Sequence, residues 1–194
     1  MKPKGILLIS GNATSGKDTF FRGLRLIFGK SVERFAFADS LKNDTDILAE
    51  RIFNKKIILL SKEEKEIFRP ILVDYGNIMR KVNPLHWVKE VNKSIQLSND
   101  DFDYVVITDC RYENELVFFQ ENYSCPVKLL YLERYDCLGN TIPPANEIEK
   151  ENNIKLKTIA DFFFSWITIG ENNEIMKTLV KDYVKFNMQN FFKP

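Results

Sequence analysis

Apolar positions in this chain alternate between short continuous runs and stretches with helical spacing. Gly5–Ser10 is an almost wholly apolar run, which is typical of a strand buried on both faces of a parallel sheet. Lys17–Phe28 has apolar residues at helical spacing and is followed by Gly29, a plausible C-cap. The pattern therefore predicts a strand, a glycine-containing loop and a helix, in that order.

Four further segments have the composition of strands. Arg34–Lys42 predicts a second strand that ends in a turn at Asp39-Ser40, which caps a helix from Leu41. The clearest later strand is Tyr104–Thr108, and the two after it are Val127–Leu132 and a short segment near Phe163–Ile169.

The remaining apolar residues predict helices, most of them between residues 42 and 96. We expect helices at Asp44–Phe53, after an N-cap at Ser61, and after Asn83-Pro84, with Pro70 starting a new helix or kinking the second one. Trp87, Val88, Val91 and Ile95 share one face of the third. Helices at Glu113–Glu121 and Glu174–Phe186 follow, and Asp136–Asn153 is predicted to be a mobile polar excursion.

Strands that alternate with helices predict an α/β fold, a parallel β-sheet flanked by helices. We expect one domain over residues 1–194, with a helical insertion at about 42–100 and a lid-like segment at about 136–155. The length of 194 residues suits a single domain with a sizeable core.

Composition narrows the class of protein. The net charge of +1 does not favour electrostatic binding to nucleic acid. Three cysteines without a C-x-x-C pair favour a reducing compartment, and the single His86 argues against a histidine metal site or triad. No apolar run approaches the ~20 residues that span a bilayer, and nothing resembles a signal peptide. We therefore expect a cytoplasmic protein that does not bind membranes.

The stretch SGNATSGKDT, which follows the first strand, nearly spells the phosphate-binding loop G-x-x-x-x-G-K-[ST]. Backbone N–H groups of such a loop, together with the N-terminus of the next helix, bind phosphates, and the lysine reaches the β- and γ-phosphates. Asp18 stands where Ser or Thr is usual; it either joins the water shell of a metal or is only a first-turn acid. The candidate nucleotide-binding residues are Gly11, Asn12, Ala13, Thr14, Ser15, Gly16, Lys17, Asp18 and Thr19.

The GKDT variant of the loop resembles phage-type deoxynucleoside monophosphate kinases, and animal phosphomevalonate kinases share it. Three later segments resemble the phage kinases in order and spacing: FAFADSLK, RPILVDYGNIMRKVNPLHW and VVITDCRYENE. The arginine of YLER fits the residue that precedes the lid in that family. The likeness extends from Gly5 to about Arg134 and implies a P-loop kinase fold that uses ATP and Mg²⁺.

The resemblance implies a role for each matching residue. The catalytic residues would be Lys17, Asp109, Arg111 and Arg134, and Mg²⁺ would be held by Asp18 and Asp109 through waters. Residues that bind the acceptor would be Asp39, Lys42, Arg69, Gly76, Arg80 and Trp87. The residues alone leave other roles open: salt bridges for the arginines, helix caps for Asp39 and Asp109, and core packing for Trp87.

The reaction that follows from this resemblance is transfer of the γ-phosphate of ATP to a deoxynucleoside 5′-monophosphate. Val73 and Asn146 depart from the family pattern, where Gln and His are usual. Another acceptor (a nucleoside, phosphomevalonate or a modified base in DNA) and a degenerate nucleotide-binding module are the alternatives. We expect small-molecule nucleotide substrates as partners and, if the origin is viral, location in the host cytoplasm; monomer and homodimer both remain open.

Overall fold

The computed structural model describes residues 3–167 and 173–192. Its contacts divide the chain into two compact units, of which the smaller comprises residues 36–97 and the larger the remainder. The helical insertion that the sequence predicts, at about residues 42–100, falls mostly within the smaller unit.

A parallel sheet of five strands forms the centre of the larger unit. The strands are β1 (Gly5–Ser10), β2 (Val32–Phe35), β3 (Tyr104–Ile107), β4 (Val127–Tyr135) and β5 (Phe162–Ile167). Their order across the sheet is β2-β3-β1-β4-β5, and every neighbouring pair is parallel. The parallel sheet and the helices that alternate with its strands confirm the predicted α/β fold.

The described residues form seven α-helices: α1 (Lys17–Phe28), α2 (Phe37–Phe53), α3 (Lys62–Val82), α4 (His86–Leu97), α5 (Glu113–Asn122), α6 (Glu147–Ile159) and α7 (Asn173–Tyr183). None of the helices in the described ranges is long and apolar enough to cross a membrane.

Strand register brings the ends of β1, β2 and β3 to one edge of the sheet. Leu8 of β1 and Phe35 of β2 both pair with Ile107, the last residue of β3, and β1 ends two residues later. Ser10 pairs with Tyr131 of β4, which continues to Tyr135. The chain passes from β1 to β2 on one side of β1, and later from β3 across β1 to β4 on the other side. The strand order therefore reverses at β1. Open α/β sheets bind their ligands at such a point, outside the carboxyl ends of the strands.

The core of the larger unit lies where α1 and α7 pack on the sheet. Leu7 and Ile9 of β1, Phe20 and Leu24 of α1 and Val180 of α7 belong to one buried cluster. Burying this face anchors the start of α1, and with it the loop that precedes α1. The smaller unit has a core of its own around Ala49, Ile57, Leu60 and Phe68.

One prediction in the smaller unit was wrong. Asp39 and Ser40 do not form a turn, because α2 already begins at Phe37 and the Asp39 N–H donates to the Ala36 carbonyl at 3.1 Å. Of the two alternatives at Pro70, a new helix is excluded, because α3 continues through the proline. Phe68 is buried in the apolar cluster and Ile71 packs against it, so apolar contacts on both sides of the proline hold the helix together.

The segment predicted to be a polar excursion contains α6. Asn146 caps this helix by accepting the Glu149 N–H at 2.8 Å, and the Glu149 carboxylate accepts the Ala145 N–H at 2.6 Å. Glu149, Asn153 and Leu156, spaced by four and three residues, are its buried positions. The prediction failed because only one narrow face of this helix is buried and two of its three residues are polar.

Other elements agree closely with the sequence pattern. The Ser61 cap is confirmed as a capping box with Glu64, and the apolar face predicted after Pro84 is buried in α4. Strand β4 runs three residues further than predicted, to Tyr135. The predicted end of the last strand, Ile169, lies outside the described residues, and after α7 the chain continues as a π-helical turn at Val184–Met188.

Candidate functional site

The loop between β1 and α1 has the backbone shape of a phosphate-binding loop. Gly11 and Gly16 adopt φ values of +136° and +98°. A Cβ at Gly11 would lie 2.2 Å from the Leu132 carbonyl oxygen, and one at Gly16 would lie 2.4 Å from the Trp166 ring. Both positions therefore require glycine for conformation and for space.

The N-terminus of α1 is open to a ligand. Gly16 is its N-cap residue, and no side chain caps the first turn. The first N–H groups of a helix have no partner within the helix, and the helix dipole favours an anion there. Two further groups of the loop region, Ser10 Oγ and Ser15 Oγ, are buried without a hydrogen-bond partner in the described part of the chain. The loop thus offers polar groups that a phosphate chain can use.

Lys17 is held over the loop by two backbone carbonyls. Its Nζ donates to Gly11 O at 2.8 Å and to Asn12 O at 2.7 Å. Burial lowers the pKa of Lys17 to about 8, and the positive charge of Arg111 contributes to the same shift. Glu149, Asp109 and Asp18 act in the opposite direction. A cation kept in a desolvated position has a strong electrostatic reason to bind an anion.

Two side chains from β4 and β5 contact the backbone of the phosphate loop. Arg134 donates from Nη1 to Thr14 O at 3.2 Å and lies 5.0 Å from the centre of the Trp166 ring. The Trp166 Nε1–H donates to Ser15 O at 2.9 Å. Thr14 has a φ of +60°, which is unusual for a β-branched residue. Arg134 and Trp166 thus fix a loop conformation that its own residues do not favour.

Two acidic residues that the sequence assigns to magnesium have different surroundings. Asp18 is exposed and accepts a hydrogen bond from Arg34 Nε at 3.1 Å, as part of an ion pair. Asp109 follows β3 and is partly buried. No cluster of three potential ligands (His, Cys, Asp or Glu) occurs among residues 3–167 and 173–192. The side chains present suit a metal held through waters and nucleotide phosphates, which Mg²⁺ prefers.

Arg111 is an exposed residue just beyond β3. Its backbone N–H and that of Tyr112 donate to Glu115 Oε2 at 2.7 and 3.1 Å, which starts α5. Glu115 is 2% exposed, so this carboxylate fixes the turn from inside the protein. The turn leaves the Arg111 side chain at the solvent side, while its charge still acts on Lys17.

The predicted acceptor residues lie in the smaller unit, and most of them have local partners. Lys42 and Asp39 form an ion pair at 3.6 Å. Arg69 is exposed and makes two hydrogen bonds to Glu66, at 3.0 and 2.7 Å. Arg80 is half-buried. These contacts keep charged groups on the surface of the unit, where an anionic acceptor can compete for them.

Gly76 and Trp87 form the inner part of the same unit. The Trp87 Nε1–H donates to Gly76 O at 3.2 Å, and the Trp87 side chain is 2% exposed. Its ring packs edge-on against Tyr75 and His86. Trp87 therefore lies in the core, where it supports α3 and α4.

Sequence reasoning missed four residues of the loop region: Arg34, Glu133, Asn153 and Trp166. Arg34 carries no motif in the sequence, and Asn153 ends the segment that the sequence predicts to be a polar excursion. A polar cavity of about 60 Å³ adjoins the loop and is lined by Asn12, Ser15, Leu132, Glu133, Arg134, Thr141 and Ile142. The order of motifs along the chain does not predict these contacts, because each contact joins residues that are far apart in the sequence.

Comparison of the chain with solved structures finds distant likenesses. Dephospho-CoA kinase from Campylobacter jejuni is 14% identical, with 98% of this chain and 100% of that chain covered and a TM-score of 0.49. Shikimate kinase from Aquifex aeolicus is 17% identical, with 96% and 97% covered and a TM-score of 0.49. Likenesses at this level support no argument about the reaction or the substrate.

Sequence comparison gives a more specific result. No curated protein sequence matches the chain significantly. A family model, described as phosphomevalonate kinase, matches residues 9–125. The match begins at the end of β1, includes the phosphate loop and the whole smaller unit, and covers more than half of the chain. The chain belongs to the phosphomevalonate kinase family, whose members are P-loop kinases.

Proposed function

We propose that this protein transfers the γ-phosphoryl group of ATP to the phosphate of a small phosphomonoester, which yields a diphosphate. The observation that carries the proposal is Lys17, a half-buried cation held above a glycine loop at an uncapped helix N-terminus. Phosphoryl transfer needs two polyanions held in line and positive charge at the transferring group, with little covalent chemistry from the protein.

ATP would bind with its phosphates in the loop of residues 11–19. Lys17 would keep its two carbonyl partners and donate its third N–H to a phosphate oxygen. The N–H groups of the loop and of the first turn of α1 would donate to the other phosphate oxygens. Arg111, which is exposed and close enough to act on Lys17, would neutralise charge on the transferring group. Arg134 would contribute there as well, in addition to supporting Thr14.

Magnesium would be held mainly by the nucleotide phosphates and by water. Asp109 and Asp18 would accept hydrogen bonds from the metal-bound waters, and Arg34 would keep the Asp18 carboxylate in place. When bound, Mg²⁺ would supply charge neutralisation across the β- and γ-phosphates.

For the acceptor we propose a deoxynucleoside 5′-monophosphate first. Arg69 and Arg80 would bind its phosphate, because a guanidinium group offers two parallel donors to phosphate oxygens. Asp39 and Lys42 would contact the sugar or base, and Gly76, which is buried beside Leu41 and Arg80, would act through the position of Arg80. Trp87 would contribute by shaping α3 and α4, since its ring is buried.

Phosphomevalonate is the second candidate acceptor, and one observation favours it: the matching family model carries that name. The two acceptors share a phosphomonoester and differ in the remainder of the molecule. Phosphomevalonate adds a carboxylate, for which basic residues such as Lys42 and Arg80 are suitable partners, whereas a nucleotide adds a base.

A coupled assay of ADP release decides among these possibilities. We expect wild-type protein with ATP and Mg²⁺ to turn over with dAMP, dGMP, dCMP, dTMP, 5-hydroxymethyl-dCMP or phosphomevalonate, and the fastest acceptor identifies the substrate class. Lys17→Ala should lower kcat/KM by at least about 100-fold, as the loss of a preorganised charge at a transition state does. The matched control is Lys30→Ala, an exposed lysine after the same helix.

Two outcomes would contradict the proposal. Turnover by Lys17→Ala equal to that of wild type would remove the site assignment. ATP binding without turnover on any phosphomonoester would identify a nucleotide-binding module in place of a kinase.

A further inference from the structure

The side-chain amides of Asn12 and Asn153 form a chain of hydrogen bonds from α6 to the phosphate loop. Asn153 Nδ2 donates to Asn12 Oδ1 at 2.6 Å, and Asn12 Nδ2 donates to Ile142 O at 2.6 Å. The two asparagines are separated by 141 positions in the sequence. Asn153 is 5% exposed, so its amide is placed with almost no access to solvent.

Only one orientation of the two amides satisfies this chain. Ile142 offers a carbonyl, which accepts only, so the end of Asn12 that faces it must be the NH₂ group. The oxygen of Asn12 then faces Asn153, which must present its own NH₂ group. The direction of the whole chain is therefore fixed by one backbone carbonyl in the segment that precedes α6.

The backbone carbonyl of Asn12 carries the contact on to Lys17. Asn12 O accepts from Lys17 Nζ at 2.7 Å and from the Ser15 N–H at 3.1 Å. Asn12 is thus held by Asn153 and Ile142 through its side chain, and holds Lys17 through its main chain. A displacement of the Asn12 side chain would move the carbonyl that sets the position of the Lys17 ammonium group.

The position of Asn153 in turn depends on the start of α6. Glu149 lies one helical turn before Asn153 on the same buried face, and its carboxylate accepts the Ala145 N–H. Asn146 caps the helix. Residues 142–153 therefore contact Asn12 at both ends of the segment, through the Ile142 carbonyl and through the Asn153 amide.

We propose that Asn153 is a positioning residue that, through Asn12, sets where Lys17 meets the phosphates of ATP. The segment 142–153 and the nucleotide are then coupled: whatever loosens the segment weakens ATP binding, and bound ATP stabilises the segment. The inference rests on the proposed function as far as the ligand is ATP, and it needs no particular acceptor.

The test measures ATP binding directly, by titration of a fluorescent ATP analogue with Mg²⁺ and without acceptor. Asn153→Leu keeps the volume of the buried side chain and removes the donor. We expect it to weaken binding by about three- to tenfold, the value of one buried hydrogen bond. Asn152→Leu, the same substitution at the neighbouring and less buried position of α6, is the matched control and should bind as wild type does.

A double-mutant cycle separates positioning from simple packing. If the two amides act together, Asn12→Ala and the double variant Asn12→Ala/Asn153→Leu should bind ATP as weakly as Asn153→Leu alone. Additive losses would show two independent effects and overturn the inference. Should Asn153→Leu not fold, Asn12→Ala on the partly exposed loop decides: wild-type affinity in that variant also overturns it.

Failure of the inference is distinguishable from failure of the proposed function. Undiminished ATP binding by Asn153→Leu, with normal turnover in the wild type, overturns the inference alone. ATP binding that follows the expected cycle, without turnover on any acceptor, supports the inference and removes the proposed function. A wild-type protein that binds no ATP would overturn both.

Discussion

The phosphate loop and the acceptor residues of the smaller unit differ in what holds their charged side chains. Lys17 is half-buried and bound to two backbone carbonyls, within a loop that Arg134 and Trp166 support from outside. Arg69, in contrast, is exposed, and its partner is the exposed carboxylate of Glu66 on the same helix.

The difference indicates how the phosphate loop and the smaller unit would each bind a phosphate group. Backbone partners fix Lys17 before any ligand arrives, so little reorganisation is needed when phosphates bind. A surface ion pair such as Arg69–Glu66 contributes little to stability and is easily exchanged for another anion. We infer that the phosphate loop is preorganised, whereas an acceptor would itself order the arginines that are proposed to bind it.

The largest effect is expected at Gly11. Gly11→Ala would force a Cβ to 2.2 Å from the Leu132 carbonyl and displace the loop, which should weaken ATP binding by at least about 100-fold. Gly139→Ala is the matched control, because it shares a positive φ of +82° but has nothing within 4 Å of the new Cβ. Equal ATP affinity of the two variants, measured by titration, would show that the loop is not preorganised.

A smaller and selective effect is expected at Arg69. Arg69→Ala should raise the KM for the acceptor by about 10- to 100-fold, as the loss of charge-assisted hydrogen bonds does. The KM for ATP should stay unchanged. Glu66→Ala serves as control: it breaks the same ion pair and should leave the acceptor KM unchanged or lower it. A raised acceptor KM in both variants would assign Arg69 a structural role.

The pH dependence of ATP binding tests the burial of Lys17. Its pKa of about 8 in the free protein lies below the ordinary value of 10.5, so the charge that binds phosphate is lost as pH rises through about 8. Bound phosphates favour the charged form, and binding near that pH should therefore take up a proton. Calorimetry in buffers of different ionisation enthalpy measures this uptake; its absence would contradict the environment described for Lys17.

Glu149 sharpens the same test. Four charged groups act on Lys17: Arg111 lowers its pKa, and Glu149, Asp109 and Asp18 raise it. Glu149→Gln keeps an acceptor for the Ala145 N–H but removes the charge, so the loss of ATP affinity should begin at lower pH than in the wild type. Glu147→Gln, an exposed change in the same helical turn, should leave the profile in place.

The smallest effect on activity is expected at Trp87. Trp87→Phe removes the donor to Gly76 O, which should lower the free energy of unfolding by about 1–3 kcal/mol through the lost hydrogen bond and lost packing. Acceptor preference should be unchanged, because the ring is buried. Thermal unfolding and the acceptor panel check both parts, and altered base preference at unchanged stability would instead make Trp87 part of the acceptor site.

Local signals allowed the sequence to predict the donor side closely. The bounds of β1 and α1 agree with the pattern to the residue, because an apolar run, two glycines and helical spacing follow one another within 24 positions. The smaller unit was predicted as helical, and no new helix begins at Pro70, because apolar contacts on either side of the proline keep α3 continuous.

What the sequence could not predict are the long-range partners. Asn153 with Asn12, Arg34 with Asp18 and Trp166 with Ser15 are side-chain contacts that exist only after the sheet has formed. The sequence also did not predict α6, because its buried face consists of a carboxylate, an amide and one leucine. Hydrophobic periodicity has no signal for a helix that is held mainly by polar groups.

The most direct test of the central claim is transfer of label from ATP radiolabelled in the γ-phosphate to the acceptor panel, with wild type and Lys17→Ala in parallel. The account expects label in a new diphosphate, from a deoxynucleoside monophosphate or from phosphomevalonate, and almost none with Lys17→Ala. Labelled product formed equally well without Lys17, or no labelled product from any phosphomonoester, would contradict it.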